Sequence, residues 1–285
     1  MGEPTVGTTP PRVMTIAGTD SGGGAGVAAD LRALAACGVH GCVAVTAVTV
    51  QNSLGVSGFH ALPPETVAAQ IETVATDIGL DAAKTGMLAS TPIIQAIVGA
   101  CDGVGIGGDG PIPFVVDPVA ASMHGDPLLA EDALEAYRGL LFPRATLITP
   151  NLDEVRLLAG VDVHDREAQY DAAKVMHGFG SKYVLVKGGH LREDTEWCVD
   201  LLYDGHTFTE LSGPRFDTGN THGGGDNMAS AAASGLARGM SVPDAVAFAK
   251  RYIVEAVRHS YPLGAGHGPV SPLWTVRPWW EEPTP

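Results

Sequence analysis

Short apolar runs alternate with amphipathic runs along most of this 285-residue chain, and the alternation limits the folds open to it. In the first pair, the strand-like "RVMTIAG" at 12–18 precedes the helix-like "AGVAADLRALAACG", which ends at Gly38. Later pairs use the usual helix punctuation, such as Pro63-Pro64 at a start and glycine at an end. Repeated strand–helix pairs predict βαβ units, and therefore an α/β fold with a mainly parallel central sheet and helices on both faces.

The alternation also sets the expected boundaries of the folded unit. It runs over about 12–275, so we predict one domain there, with an N-terminal tail at 1–11 and a C-terminal tail at 276–285. The second tail contains Trp279-Trp280, for which a loosely packed tail and an anchor to the domain or to another subunit both stay open.

Two further stretches predict particular strands. The run "GCVAVTAVTV" at 41–50 is read as a single buried strand. The polar runs "CVDLLYDG" and "HTFTEL" predict a hairpin that turns at Asp204-Gly205, because Asp-Gly is a favoured turn pair.

The charge and the cysteines narrow the classes of partner. A formal net charge of −15 disfavours nucleic acid, since binding its phosphate backbone requires clustered lysines and arginines. One or two well-placed cations together with backbone N–H groups are still enough for a small phosphate substrate. The four cysteines form neither a CxxC pair nor a metal-binding spacing.

The apolar runs indicate a cytoplasmic protein with no membrane partner. None approaches the roughly 18 residues that predict a membrane span. The start "MGEPTVGTTPPR" lacks the basic-then-apolar order of a signal peptide.

Polar residues follow the predicted strands, where an open parallel sheet binds its ligands. These carboxylates, amides, lysine and glycine loops are more typical of phosphoryl transfer than of hydride transfer. The residues are Asp20, Gln51-Asn52, Met87, Asp117, Asn151, Lys187 and Asp226.

The first glycine-rich stretch superficially fits a dinucleotide fingerprint. Gly24-x-Gly26-x-x-Ala29 stands between a strand and a helix, but the next strand ends in "TVQN" without the acid that would bind a ribose. The glycines are better explained by close approach of a small ligand. Asp30, on the following helix, is either a solvated acid or part of the site.

Amides, acids and a lysine suit a phosphorylated ligand, although each also has an ordinary structural explanation. Gln51 can read a heteroaromatic edge or form a turn. Asn151 and Glu154 can cap a helix or face a metal–phosphate, and Asp117 can form a turn or support that metal. Lys187 is either solvated or a cation beside transferring phosphates.

The most specific stretch is "NTHGGGDNMAS" at 220–230. A glycine-rich turn that opens a helix presents N–H groups to an anion, and the helix dipole favours negative charge there. The N–H groups of Gly223, Gly224 and Gly225 could therefore hold a transferring phosphoryl group. Asp226 would either complement the dipole or act as general base toward a hydroxyl.

Eight motifs in order over about 12–274 resemble the hydroxymethylpyrimidine and hydroxymethylpyrimidine-phosphate kinases of thiamine biosynthesis, within the ribokinase-like superfamily. Together they are far more specific than any one alone. They are "TIAGTDSGGGAGVAADL", "TAVTVQN", "KTGMLAS", "VVDPVAASMHGDPLL", "LITPNLDE", "VLVKGGH", "NTHGGGD" and "PLGAGHGPV".

The resemblance implies a three-layer sandwich, ATP with Mg²⁺ as phosphoryl donor, and a homodimer. A monovalent cation stays open. The substrate would be 4-amino-5-hydroxymethyl-2-methylpyrimidine and then its monophosphate, bound by Gly18, Asp30, Thr49, Gln51, Met87 and Val119. The phosphate groups would meet Asn151, Lys187 and Thr221, the metal would lie near Glu154 and Asp117, and catalysis would use Lys187, Gly223, Gly224, Gly225 and Asp226.

Two departures from the family pattern bear on mechanism. Relatives mostly end the glycine loop in "GTGC", whereas this chain has "GGGD", with the aspartate that sugar and nucleoside kinases use as base. Many relatives also have a lysine in an "AKSG" stretch, where this chain reads "ASMHG" with Met123 and His124.

Three alternatives stay open at the level of sequence. A pyridoxal kinase would also act on a small heteroaromatic alcohol. A non-catalytic pyrimidine-binding module is disfavoured by the intact Lys187, Glu154 and Asp226, and a dinucleotide oxidoreductase by the missing ribose-binding acid. The relative rates of the two phosphorylations also stay open.

Overall fold

The computed structural model describes residues 8–120, 133–189, 191 and 196–276. Its ten strands in this part of the chain are β1 (Arg12–Ala17), β2 (His40–Val45), β3 (Ala47–Asn52), β4 (Gly55–Ala61), β5 (Ala82–Thr85), β6 (Phe114–Val116), β7 (Leu147–Ile148), β8 (Tyr183–Val186), β9 (Trp197–Tyr203) and β10 (Phe208–Pro214). The α-helices described are α1 (Gly26–Ala36), α2 (Pro64–Asp77), α3 (Thr91–Val104), α4 (Ala133–Ala136), α5 (Leu152–Ala159), α6 (Arg166–His177), α7 (Gly224–Ala237) and α8 (Val242–Arg258).

Eight strands form one sheet in the order β10-β9-β8-β7-β6-β5-β1-β2. The pairs from β2 to β8 are parallel, and β9 and β10 add an antiparallel edge. The predicted hairpin is confirmed, since β9 and β10 pair across Asp204-Gly205 and Gly205 has φ +92°. The predicted α/β class with a mainly parallel sheet is likewise confirmed.

Helices cover both faces of the sheet. Successive residues of a strand point to opposite faces, so Val13 and Met14 of β1 enter different cores. Met14 packs in a core with residues of α2, α3 and α6, including Ile71 and Ile97. Val13 packs in the other core with residues of α1, α7 and α8, including Ala232.

The prediction of one strand over 41–50 is wrong. The chain leaves the main sheet at Thr46, whose hydroxyl donates to the Met87 carbonyl oxygen at 2.6 Å, and continues as β3 in a separate two-stranded sheet. The partner strand β4 was not predicted, because Gly55 and Gly58 weaken its strand pattern. Alternation within β3 buries Ala47 and exposes Val48.

Two features singled out in the sequence, Met123-His124 and Trp279-Trp280, lie outside the described residues. The predicted boundaries of the two tails stay predictions. Within the described parts of the chain, no helix combines the length and apolar character needed to cross a bilayer.

Candidate active site

A cavity of about 870 Å³ opens at the carboxyl ends of the parallel strands. This is where open α/β sheets bind ligands. Most residues predicted from the sequence line it. They are Gly18, Gln51, Met87, Asp117, Val119, Asn151, Glu154, Lys187, Thr221, Gly223, Gly224, Gly225 and Asp226.

Two predicted substrate residues do not line the cavity. The Asp30 carboxylate is fully buried, and its oxygens accept hydrogen bonds from Thr15, Lys84 and Ser230. Thr49 is 3% exposed, and its hydroxyl donates to the Thr19 carbonyl oxygen at 2.8 Å. Asp30 and Thr49 are therefore set back from the cavity, and the substrate contacts implied for them stay predictions.

The second glycine loop packs directly on the first. A Cβ at Gly223 would lie 2.0 Å from the Gly24 carbonyl oxygen, and the φ of Gly223 is +74°, so this position requires glycine. Helix α7 begins at Gly224, whose N–H donates to the Thr221 carbonyl oxygen at 3.1 Å. That N–H is therefore engaged within the loop, which limits the predicted role of Gly224 as an anion donor.

Asp226 belongs to a buried group of charges that we call the sealed cluster, made of Lys84, Asp30 and Asp226. Lys84 Nζ lies 2.7 Å from Asp30 Oδ1 and 3.0 Å from Asp226 Oδ1. The side chains of Lys84 and Asp30 are fully buried, whereas that of Asp226 is 14% exposed and reaches the cavity. The other oxygen of Asp226, Oδ2, accepts from the Gly26 N–H at 3.2 Å.

Burial and pairing act against each other on the pKa values in this cluster. Burial raises the pKa of Asp30 to about 6, although the neighbouring Lys84 opposes the change. Burial alone would lower the pKa of Lys84, but the charges of Asp30 and Asp226 outweigh it and raise that pKa above its ordinary value. Lys84 is therefore a cation between two acids.

A second group faces the cavity more openly, and we call Lys187, Asp117 and Glu154 the open cluster. Lys187 Nζ lies 2.9 Å from Asp117 Oδ1 and 3.9 Å from Glu154 Oε2, and its side chain is 13% exposed. The Thr149 hydroxyl also donates to Asp117 Oδ1, at 2.8 Å. A Cβ on Gly225 would lie 3.2 Å from Lys187 Nζ, so the glycine loop is next to this lysine.

Asn151 and Glu154 form the helix cap predicted as their ordinary explanation. The Asn151 side chain accepts from the Glu154 N–H at 2.8 Å, and Glu154 Oε2 accepts from the Asn151 N–H at 2.7 Å. Both residues also line the cavity, so capping and ligand binding are compatible. Burial raises the pKa of Glu154 to about 8, against the lowering effect of Lys187.

The sequence did not assign a role to His222, which joins the two glycine loops. Its Nε2 lies 2.9 Å from Asp20 Oδ2, and Asp20 also accepts the N–H groups of Gly22, Gly24 and Ala25. Burial alone would raise the pKa of Asp20, but the hydrogen bonds from His222 and the backbone outweigh it and lower that pKa. The His222–Asp20 contact therefore fixes one loop against the other.

A buried ion pair supports the loop that carries Lys187. Lys250 Nζ lies 2.7 Å from Asp200 Oδ2 and donates to the Cys198 carbonyl oxygen at 3.0 Å. Asp200 Oδ1 accepts the Gly188 N–H at 2.8 Å. Helix α8 and strand β9 thus fix the residue that follows Lys187.

Lys84 is the main functional candidate that the sequence interpretation missed. The signal was a lysine in the middle of the short apolar strand "AAKT", since a charge there must find buried partners. The partners lie 54 and 142 residues away, so the sequence does not reveal them.

The cysteine thiols fit structural positions. All four are free, and burial is the main cause that raises the pKa of each, to about 11 for Cys37 and about 12 for Cys101. A thiol with a raised pKa is a poor nucleophile near neutral pH. The ionisable side chain in the first turn after the glycine loop is that of Asp226, and none of the four cysteines takes its place.

Comparison with known proteins decides the family. Residues 20–271 match the family model described as phosphomethylpyrimidine kinase. A hydroxymethylpyrimidine/phosphomethylpyrimidine kinase of Mycobacterium tuberculosis is 58% identical over 270 residues, which cover 95% of this chain and 96% of that protein. The chain belongs to the phosphomethylpyrimidine kinase family.

Solved structures agree with membership of the phosphomethylpyrimidine kinase family. An ADP complex of Bacillus subtilis pyridoxal kinase gives a TM-score of 0.85 at 35% identity, covering 93% of this chain and 98% of that one. A phosphomethylpyrimidine kinase from Clostridium difficile 630 gives 0.75 at 35% identity, covering 87% and 99%. The resemblance, the ribokinase-like fold and the assignment as a hydroxymethylpyrimidine/phosphomethylpyrimidine kinase are thereby confirmed.

Proposed function

We propose that this kinase transfers the γ-phosphoryl group of MgATP to the hydroxymethyl oxygen of 4-amino-5-hydroxymethyl-2-methylpyrimidine, and then phosphorylates the monophosphate to the diphosphate for thiamine biosynthesis. The observation that carries the proposal is that Asp226 and Lys187 line the same cavity and that both adjoin Gly225 of the glycine loop. Donation by ATP is further supported by the ADP bound to the pyridoxal kinase neighbour.

The first step needs an acceptor for the hydroxyl proton. In our proposal Asp226 takes that proton while the substrate oxygen forms a bond to the γ-phosphorus and the bond to the β-phosphate oxygen breaks, releasing ADP with the electron pair. Asp226 is 14% exposed within the cavity, so a hydroxyl can reach it. Lys187 and the N–H groups of Gly223 and Gly225 would stabilise the transferring group.

The second step has a different nucleophile. The substrate's own phosphate is largely ionised near neutral pH, so this nucleophile needs little help from Asp226 in losing a proton. Positioning by Lys187, Asn151 and Thr221 would then dominate, since phosphoryl transfer depends mainly on alignment and charge stabilisation. We therefore propose that the two steps share one phosphate site but differ in their need for a base.

The pyrimidine would occupy the part of the cavity lined by Gly18, Gln51, Met87 and Val119. A side-chain amide offers both a donor and an acceptor, which matches the edge of an aminopyrimidine. A Cβ at Gly18 would lie 3.1 Å from Met87 Sδ, so glycine leaves room beside Met87. Gln51 would read the ring edge, while Met87 and Val119 would contact its faces.

The residues present fit magnesium only as part of a metal–phosphate complex. Within the described residues, no group of three His, Cys, Asp or Glu side chains could bind a metal alone. Mg²⁺ commonly keeps several waters and takes one or two carboxylates together with substrate phosphates. Asp117 and Glu154 would hold it there, and the ion would offset the charge of the triphosphate.

The exposed face of β3 supports the proposal of a homodimer. Val48 and Val50 are two residues apart on one strand, so they share a face, and they are 48% and 64% exposed. Apolar residues exposed together often mark a protein interface. A cytoplasmic location is proposed from the sequence alone.

An ATP-consumption assay with mass detection tests the substrate. The panel contains hydroxymethylpyrimidine, its monophosphate, pyridoxal and ribose. We expect mono- and diphosphate products from the pyrimidine. Activity on pyridoxal or ribose alone would contradict the proposal, and pyridoxal is included because a structural neighbour is a pyridoxal kinase.

A further inference from the structure

Lys84 is a fully buried charge in the centre of the sheet. All four residues of β5 are buried, and this strand lies between β1 and β6. Burying an ion pair rarely stabilises a fold more than apolar residues of similar size would. A charge at this position therefore calls for an explanation beyond stability.

The contacts of Asp30 show that it is a fixed counter-charge. Asp30 Oδ2 accepts from the Thr15 hydroxyl at 2.6 Å, and Oδ1 accepts from the Ser230 hydroxyl at 2.7 Å and from Lys84 at 2.7 Å. These groups come from β1, β5 and α7, so Asp30 cannot turn without breaking contacts to three elements. Asp30 therefore anchors the ammonium group of Lys84.

The anchored ammonium group also contacts Asp226. Lys84 donates to Asp226 Oδ1 at 3.0 Å, and the Gly26 N–H donates to Oδ2 at 3.2 Å. A donor on each oxygen fixes the plane of the carboxylate, while further lone pairs stay available for a substrate hydroxyl. Asp226 is thus held at both oxygens and still lines the cavity.

We propose that Lys84 is a positioning residue for the first phosphorylation, which orients the Asp226 carboxylate toward the substrate hydroxyl. The inference rests on the proposed role of Asp226 as base. The inference adds that Asp226 depends for its orientation on Lys84, a lysine that does not contact the substrate, and that Asp30 holds Lys84 in place.

The charges around Asp226 make Lys84 the nearest compensating group. Asp226 interacts with charged groups from β5, α1 and α5 and from the segments after β6 and β8, and these groups are Lys84, Asp30, Glu154, Asp117 and Lys187. Of these, Lys84 is the group at hydrogen-bond distance, with its Nζ 3.0 Å from Asp226 Oδ1. Removal of Lys84 should therefore leave the Asp226 carboxylate less well oriented.

A double-mutant cycle tests the proposal in a background that avoids leaving Asp30 as an uncompensated buried charge. The reference is Asp30→Asn, to which Lys84→Met is added with and without Asp226→Asn. Thermal unfolding first confirms that all four proteins fold. With Asp226 present, we expect Lys84→Met to lower kcat of the first step about 10–100-fold; with Asn at 226, we expect a change below about 3-fold.

The comparison of kcat with KM, and of the two steps, separates positioning from a structural role. With Asp226 present, Lys84→Met should lower kcat of the first step with little change in KM, and the second step should change less. Lys84→Gln, which keeps a donor without the charge, should recover part of the first-step kcat.

Three results would overturn the inference: an equal loss with and without Asp226, no loss at all, or an equal loss in the two steps. The proposed function fails separately, if wild-type protein does not phosphorylate hydroxymethylpyrimidine. If the substrate panel identifies another alcohol, the same cycle is measured with that alcohol.

Discussion

The sealed and open clusters contain the same kinds of side chain and differ in their access to the cavity. Each has one lysine between two carboxylates, with Lys84 within β5 and Lys187 directly after β8 of the same sheet. The side chain of Lys84 is fully buried, whereas that of Lys187 is 13% exposed and lines the cavity. A lysine between two carboxylates can therefore either hold one of the acids in place or bind a ligand. Which of these it does depends on whether the lysine or one of the acids faces the cavity.

The difference follows from the partners that each lysine's ammonium group can bind. Lys84 has no route to a ligand except through Asp226, so its effect is confined to that carboxylate. Lys187 can move its charge from Asp117 and Glu154 to incoming phosphate groups, which are stronger partners for a point charge. The sealed cluster should therefore affect the first step more than the second, and the open cluster should affect both.

The largest expected effect is on the acid that joins the sealed cluster to the cavity. Asp226→Asn removes the proton acceptor but keeps the side-chain shape, so the first-step kcat should fall about 10²–10⁴-fold, the usual range for a general base. The second step should fall less. Product masses over time measure both steps, and unchanged first-step turnover would remove Asp226 from the mechanism.

A slightly smaller but broader loss is expected in the open cluster. Lys187→Met removes the cation beside the transferring phosphoryl group, which should lower kcat about 10²–10³-fold in both steps, as loss of one charge-stabilising donor usually does. Steady-state kinetics with each substrate measure this. A loss in the first step only would contradict the separation of roles between the clusters.

A smaller effect is expected where the two glycine loops meet. His222→Ala removes the hydrogen bond to Asp20 but leaves the three backbone donors to that carboxylate. A hydrogen bond to a charged carboxylate contributes about 1.5–3 kcal/mol, so kcat/KM should fall about 10–100-fold in both steps. His222→Gln can restore a donor and is the matched control. Failure of that variant to recover activity would indicate a role other than joining the loops.

The last expected effect is on stability rather than on turnover, and it reports the burial of Glu154. Its pKa in the folded chain is raised to about 8 from the ordinary 4.5. The folded state keeps its proton to higher pH than the unfolded state, so wild-type stability should fall as pH rises from about 4.5 to about 8. Glu154→Gln does not titrate, so its Tm relative to wild type should increase over that range. Scanning calorimetry at pH 5 and pH 8.5 measures this, and a constant difference would contradict it.

The sequence predicted most of the fold because strand–helix alternation is a local signal. It failed at β3 and β4. The run of apolar residues and threonines there is typical of one buried strand, but after Thr46 the chain enters a separate sheet in which Val48 is exposed. Only contacts distant in sequence, such as the hydrogen bond from Thr46 to Met87, decide that break.

The candidate site was predicted where residues follow strands and missed where they lie inside them. Lys187 follows the topological rule for open sheets, and Asp226 was placed by the glycine loop that opens a helix. Lys84 lies within a strand, and the direction of Asp30 on α1 depends on its pairing with that lysine, so neither could be placed by spacing alone. The roles of the placed residues stay predictions that the variants above test.

The most direct test is the ratio of the first-step to the second-step rate constant under single-turnover conditions, in Asp226→Asn beside Lys187→Met. We predict that the ratio falls at least about 10-fold in Asp226→Asn, because only the hydroxyl needs a base, and changes little in Lys187→Met. An unchanged ratio in Asp226→Asn would contradict the division of work between the sealed and open clusters.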